Sequence, residues 1–189
     1  MDHTGPANPA DTTKKALTKK ALHDAVARYQ RPLIAYAHAR TGNLERARDA
    51  AQETLLSLCQ QPADRLESEI LPRLAPWLFT VCRNAVIDLH RKEHTMTTTD
   101  NLSLDRSISD RATSGGPAES AEAHDQQHHL LSLVAALPTH QREVVQLRFQ
   151  GGLAYKDIAE VTGHSVSYVG VLLHEAIVSL REQLIALNA

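Results

Sequence analysis

The sequence predicts an all-α protein of two small helical domains joined by a flexible linker, the second containing a helix-turn-helix. Three observations carry that expectation. The 189 residues suit two small domains. Aromatics are scarce and the apolar residues are mostly Leu, Ala and Val, a palette that favours helix over sheet. Apolar residues recur every three to four positions in two blocks, which a Ser/Thr/Asp/Gly-rich stretch separates.

Residues 1–19, polar and rich in Thr, Pro and Lys, read as a disordered tail. They lack the apolar core of a signal peptide. No apolar run reaches the ~20 residues of a membrane span, so a cytoplasmic protein is expected. The first domain covers 20–93. Leu22, Val26 and Tyr29 share a helix face, and Pro32 is expected to break or restart that helix. A second segment carries Leu33, Tyr36 and Ala37 and ends near "TGN" at 41–43. A third starts near Leu44 and sets Leu55, Leu58 and Cys59 on one face. Residues 61–75, punctuated by Pro62 and Pro72, read as a loop. The last helix, about 75–92, buries a stripe of Leu78, Val81, Cys82, Ala85 and Leu89. Both cysteines, Cys59 and Cys82, fall at apolar positions and read as buried free thiols rather than a redox pair.

Residues 94–124 form the flexible acidic linker, and the second domain covers 125–189. Its first helix carries Leu130, Leu133, Val134 and Leu137 and stops at Pro138. Thr139 is a candidate cap for a helix over about 140–150, which Gly151-Gly152 ends. Two further helices, about 154–161 and 165–186, flank "TGH" at 162–164. In this pair Ala159 is small enough for a tight crossing, Gly163 supplies a left-handed turn, and Val169 packs the second helix on the first. Ser165 is placed to cap that second helix. An ordinary helical hairpin is the alternative to a helix-turn-helix at this point.

Were the motif to meet DNA, Ser165, Val166, Ser167, Gly170, Val171 and His174 would face the groove. That strip has hydroxyls, an imidazole and apolar surface for thymine methyls, yet the whole stretch 165–180 lacks Lys and Arg. Charge is partitioned against free DNA binding. Residues 1–95 carry 14 basic against 11 acidic groups, 96–129 carry 2 against 6, and 130–189 carry 4 against 5. Phosphate attraction, the main sequence-independent source of affinity, is therefore weak in the second domain. Cations near the strip are Arg142, Arg148 and Lys156.

Together the two halves resemble the small bacterial sigma factors of the extracytoplasmic-function type, in the sigma-70 family. "DAAQE" at 49–53 resembles the family's polymerase-binding stretch, and "WLFTVCRNAVIDLHRK" at 77–92 is similar to its promoter-melting helix. Residues 136–182 resemble its upstream-element-reading domain nearly end to end. The resemblance implies an alternative sigma factor that binds core RNA polymerase and directs promoter-specific transcription initiation. On that basis 20–93 corresponds to sigma region 2 and 125–189 to region 4. Asp49, Gln52 and Glu53 would then meet the polymerase beta-prime clamp, with the beta flap meeting region 4. Arg83, Asn84, Asp88, Arg91 and Lys92 would serve the downstream (−10) element, with a flipped base received by 61–75. Arg148, Tyr155, Lys156, Ser165, Ser167, Tyr168 and His174 would serve the upstream (−35) element.

The chain departs from the family at Gly170, Leu172 and Glu175, where basic residues are usual, and at Cys59, where a bulky aromatic is usual. Val171 and Val178 are expected to form an apolar face for an anti-sigma factor or for the first domain. The polymerase, rather than the recognition helix, would supply most of the holding power. Partners are thus core polymerase, promoter DNA and an anti-sigma factor, with no membrane span and no cofactor. No Ser/His/Asp set, phosphate loop or carboxylate pair supports catalysis. A helix-turn-helix regulator acting without polymerase is the alternative function. A metal enzyme or sensor using His90 with His94 or His124 with His128 is another, though neither pair has an obvious third ligand. Whether the two domains pack together is left open by the sequence.

Overall fold

A computed structural model describes the fold of residues 9–97 and 130–187, and side chains over 19–92 and 130–186. All regular structure there is helical. Helix α1 (Pro9–Thr41) runs straight through Pro32, where a break is expected. A proline inside a helix removes one backbone hydrogen bond and costs about 3 kcal/mol. Residues on both sides of it, Ala25, Leu33, Tyr36 and Ala37, share one fully buried face. Burying Leu33 and Tyr36 contributes roughly 1.5–3 kcal/mol each, enough to offset that cost. Residues 9–19 of the expected tail are helical, because α1 starts at Pro9, and residues 1–8 lie outside the described residues.

Gly42, at φ 63°, ends α1, and Asn43 caps α2 (Leu44–Cys59) by accepting from the Arg46 amide at 3.1 Å. The inner face of α2 is largely small, with Ala47, Ala50 and Ala51 buried beside Thr54, Leu55 and Leu58, so α2 lies close along α1. Cys59 is exposed rather than buried. It is the last residue of α2, and Leu58 takes the core position beside it.

Residues 61–75 are not a loop. They form one turn of helix, α3 (Ala63–Arg65), a π-helical turn (Leu66–Ile70) and a 3₁₀ turn (Leu71–Arg73). Pro62 and Pro72 stand at N-terminal positions of these short elements, where a missing N–H leaves no bond unmade. Leu66 and Ile70, four apart, anchor the segment in the core. Helix α4 (Leu74–Thr97) follows and buries Leu78, Phe79, Cys82 and Val86, while Val81, Ala85 and Leu89 are only half-buried. Residues 98–129, most of the expected linker, lie outside the described residues.

The second domain begins with α5 (130–136) and α6 (Thr139–Phe149). Thr139 does not cap α6, because the extended Pro138 holds the cap position and Thr139 is already the first helical residue. Helices α7 (Tyr155–Thr162) and α8 (Val166–Leu187) complete the fold. Buried residues of both domains form one connected apolar cluster, with α4 lying against α7. The two domains are packed together.

Candidate nucleic-acid and polymerase interface

The α7–α8 unit has the geometry that its residues predict. Gly163 sits at φ 76°, and its amide donates to Ala159 O at 2.9 Å to close α7. Ala159 and Val169 are buried where the two helices meet. The Ser165 hydroxyl accepts from the Tyr168 amide at 3.2 Å, which caps α8 as expected.

On the outer side of α8, Ser165, Val166, Ser167, Val171 and His174 are all exposed and Gly170 lies half-buried among them. Tyr168 is fixed by an edge contact with His164, whose ring also meets His140. Arg148 donates to Leu153 O at 2.9 Å and lies over the Tyr155 ring, with Lys156 exposed beside them. The structure thus brings Arg148 onto Tyr155, and Tyr155 to within 3.9 Å of a Cβ at Gly170, while Ser167 and His174 stand exposed further along α8. Two of the family departures have local reasons. Leu172 is a core residue, and Glu175 accepts from Gln141 at 3.1 Å, tying α8 to α6. Val171 and Val178 are exposed.

In the first domain Asp49, Gln52 and Glu53 stand exposed on one face of α2. Leu56, one turn further on, continues that face as an exposed apolar residue that sequence reasoning missed. Its signal is present in the pattern: Leu55 and Leu58 already fill the inner face, leaving Leu56 outward. On α4, Asn84, Asp88 and Arg91 line one exposed edge with helical spacing, Arg91 lying 3.8 Å from Asp88, and Lys92 follows.

Arg83 is placed differently from its expected neighbours. It points into the seam between the domains and donates from Nε to Glu143 Oε1 at 3.0 Å. The Tyr36 hydroxyl and Arg40 reach the same oxygen, each at 2.9 Å. Burial, reinforced by the Glu143 carboxylate, raises the Tyr36 pKa well above its ordinary value near 10, so the phenol remains a donor. Outside this seam, Arg73 forms a fork onto Asp157 at 3.2 Å and Glu160 at 2.6 Å.

An apolar groove of about 590 Å³ lies on the far side of the second domain, between α5, α6 and the C-terminal half of α8. Leu131, Val134, Phe149, Ile177, Leu184 and Ile185 line it, and Phe149 is 67% exposed. No cluster of His, Cys, Asp and Glu suited to a metal ion occurs among the described residues. His90 instead places Nε2 3.2 Å from Arg40 O, while the other histidine pair lies outside them. No described helix is long and apolar enough to cross a membrane.

A helical domain with an acidic face on α2, packed on a helix-turn-helix domain whose outer strip lacks Lys and Arg, defines a two-part helix-turn-helix protein. Its halves match two family descriptions in order, Sigma-70 region 2 over residues 25–95 and Sigma-70, region 4 over residues 128–180. The ECF RNA polymerase sigma factor SigL of Mycobacterium tuberculosis is 32% identical over 171 residues, covering 88% of this chain and 89% of that protein. The RNA polymerase sigma factor YlaC of Bacillus subtilis is 26% identical over 167 residues, covering 88% and 93%. Among solved structures, the sigma factor RpoE of Bartonella quintana, crystallised with the anti-sigma factor NepR, shares the fold. It has a TM-score of 0.65 at 23% identity, over 86% of this chain and 95% of that one. The chain belongs to the sigma-70 family, in its extracytoplasmic-function branch, and is an alternative sigma factor that directs transcription initiation.

Proposed function

We propose that the protein works as a non-catalytic, dissociable subunit of RNA polymerase in the cytoplasm, reading a promoter at two elements. The observation that carries this assignment is the separation of three exposed faces on one chain. The α2 face of Asp49, Gln52, Glu53 and Leu56 suits a charged coiled coil with an apolar contact at its end, and is assigned to the beta-prime clamp. The α4 edge of Asn84, Asp88, Arg91 and Lys92 is assigned to the −10 element, joined by Arg83 when the domain seam opens. The α8 strip with Arg148, Tyr155 and Lys156 is assigned to the −35 element.

The apolar groove on the second domain is assigned to the beta flap, and an anti-sigma factor would compete for the same surface. A neutral recognition helix is workable because docking on polymerase makes each DNA contact intramolecular, so modest affinities multiply. The isolated second domain should therefore show no useful promoter affinity.

In vitro transcription with core polymerase and a genomic promoter library tests the assignment. Discrete starts that share two spaced upstream elements are expected. Reversing Asp49 and Glu53 to Arg should abolish binding to core while leaving the fold intact. Failure of the wild-type chain to bind core would refute the assignment.

A further inference from the structure

The domain seam holds a buried carboxylate that the promoter-reading role leaves without a purpose. Glu143 is 4% exposed, and its three partners Tyr36, Arg40 and Arg83 all belong to the first domain. A buried charge is tolerated only when it is paired and hydrogen-bonded, so Glu143 is a stable buried anion only while the domains are docked. Around it the contact is close: a Cβ at Gly151 would lie 3.0 Å from Phe79 Cε2 across the seam. The Arg73 fork onto Asp157 and Glu160 is a second, exposed clasp between the same two domains.

We propose that Glu143 is an intramolecular latch, which holds the free sigma factor closed by presenting to Arg83 and Arg40 a carboxylate in place of a DNA phosphate. The α4 edge and the α8 strip stay uncovered in this state. The latch acts instead by withholding Arg83 and by fixing the two reading surfaces at one separation. Core polymerase opens it by drawing the domains apart, which returns Arg83 to the α4 edge and Glu143 to water. The role of Arg83 at the −10 element rests on the functional assignment above, whereas the latch itself does not.

Two substitutions in the full chain test it. Glu143→Gln removes the buried charge, and Glu160→Arg breaks the exposed clasp from the α7 side, at a site where misfolding is not expected. Small-angle scattering of the free protein should show a compact wild type, with a radius of gyration several ångström larger in each variant, more so in the pair combined. Association with core polymerase should be several-fold faster for the variants, with start sites unchanged. An extended wild type, or variants as compact as wild type, would overturn the latch whatever the polymerase assay gives. A compact wild type that opens on substitution but never binds core would uphold the latch and sink the functional assignment.

Discussion

Gly170 offers a quantitative test of whether the α8 strip faces DNA. It is the fifth residue of α8, four after Val166 and four before His174, and therefore central to the strip. A Cβ built there meets only Tyr155 Cε2, at 3.9 Å, an ordinary contact. Its φ is not positive, so no backbone requirement for glycine exists. In a helix interior Ala is favoured over Gly by roughly 0.5–1 kcal/mol, because glycine loses more chain entropy on folding. For a chain of this length that corresponds to a rise in Tm of about 1–4 °C for Gly170→Ala.

Gly170→Lys should keep most of that gain and add one cation to a strip that has none. One further phosphate contact steepens the dependence of log affinity on log salt by about 0.9. The assays are a thermal melt of the free protein and open-complex formation by the holoenzyme across a potassium chloride series. A lower Tm for the Ala variant would refute the helical argument. A Lys variant with an unchanged salt slope would mean that the strip does not approach phosphate. An Ala variant that melts higher yet initiates poorly would show that glycine is present for close approach of the DNA backbone.

Ser165→Ala removes the α8 cap and should cost about 0.5–2 kcal/mol, read as a lower Tm. Leu56→Ala, at an exposed position, should leave stability within about 0.5 kcal/mol yet weaken core binding in a pull-down or titration. Thiol labelling of the folded chain should modify Cys59 at once and Cys82 only on unfolding. Stability should fall at alkaline pH. Burial raises the Cys82 thiol from near 9 to about 11 and the Tyr36 phenol well above 10, so both stay protonated in the folded chain. Their contribution is complete below the unfolded values and is lost as pH climbs through the folded ones, which urea melts between pH 8 and pH 11 should record.

The helix-turn-helix was legible in sequence because local rules decide it: Gly163 needs a left-handed backbone, Ala159 a tight crossing, and Ser165 an orphan amide. The outward placement of Asp49, Gln52 and Glu53 on one face of α2 follows from helical spacing, whereas their link to polymerase came from the family resemblance alone. Errors arose where tertiary burial outweighed a local signal. Pro32 reads as a breaker, but the shared face of Leu33 and Tyr36 holds α1 continuous. Pro62 and Pro72 read as loop markers, but Leu66 and Ile70 are four apart and fold the stretch into helical turns. Cys59 reads as apolar, but a helix end leaves it outside the core. The Glu143 seam was beyond local reading, because its partners are up to 107 residues away. Only its place one turn before the buried Leu147 hints that a carboxylate must find cations there.

The seam also gives the charge pattern of the chain a physical reason. Residues 130–189 carry more acidic than basic groups, which is unfavourable for a DNA reader, but three of their five carboxylates are Glu143, Asp157 and Glu160. All three are engaged by arginines of the more basic first domain. The complementarity between the halves therefore favours the closed chain over non-specific binding of either half to duplex DNA. Under the proposed latch such a chain needs polymerase twice, once to bring its proposed reading surfaces to DNA and once to separate the charges that neutralise each other without it. A recognition helix rich in Lys and Arg would weaken that dependence by binding DNA in the free state. In the proposed latch the neutral α8 strip and the buried Glu143 act in the same direction, confining promoter recognition to the assembled enzyme.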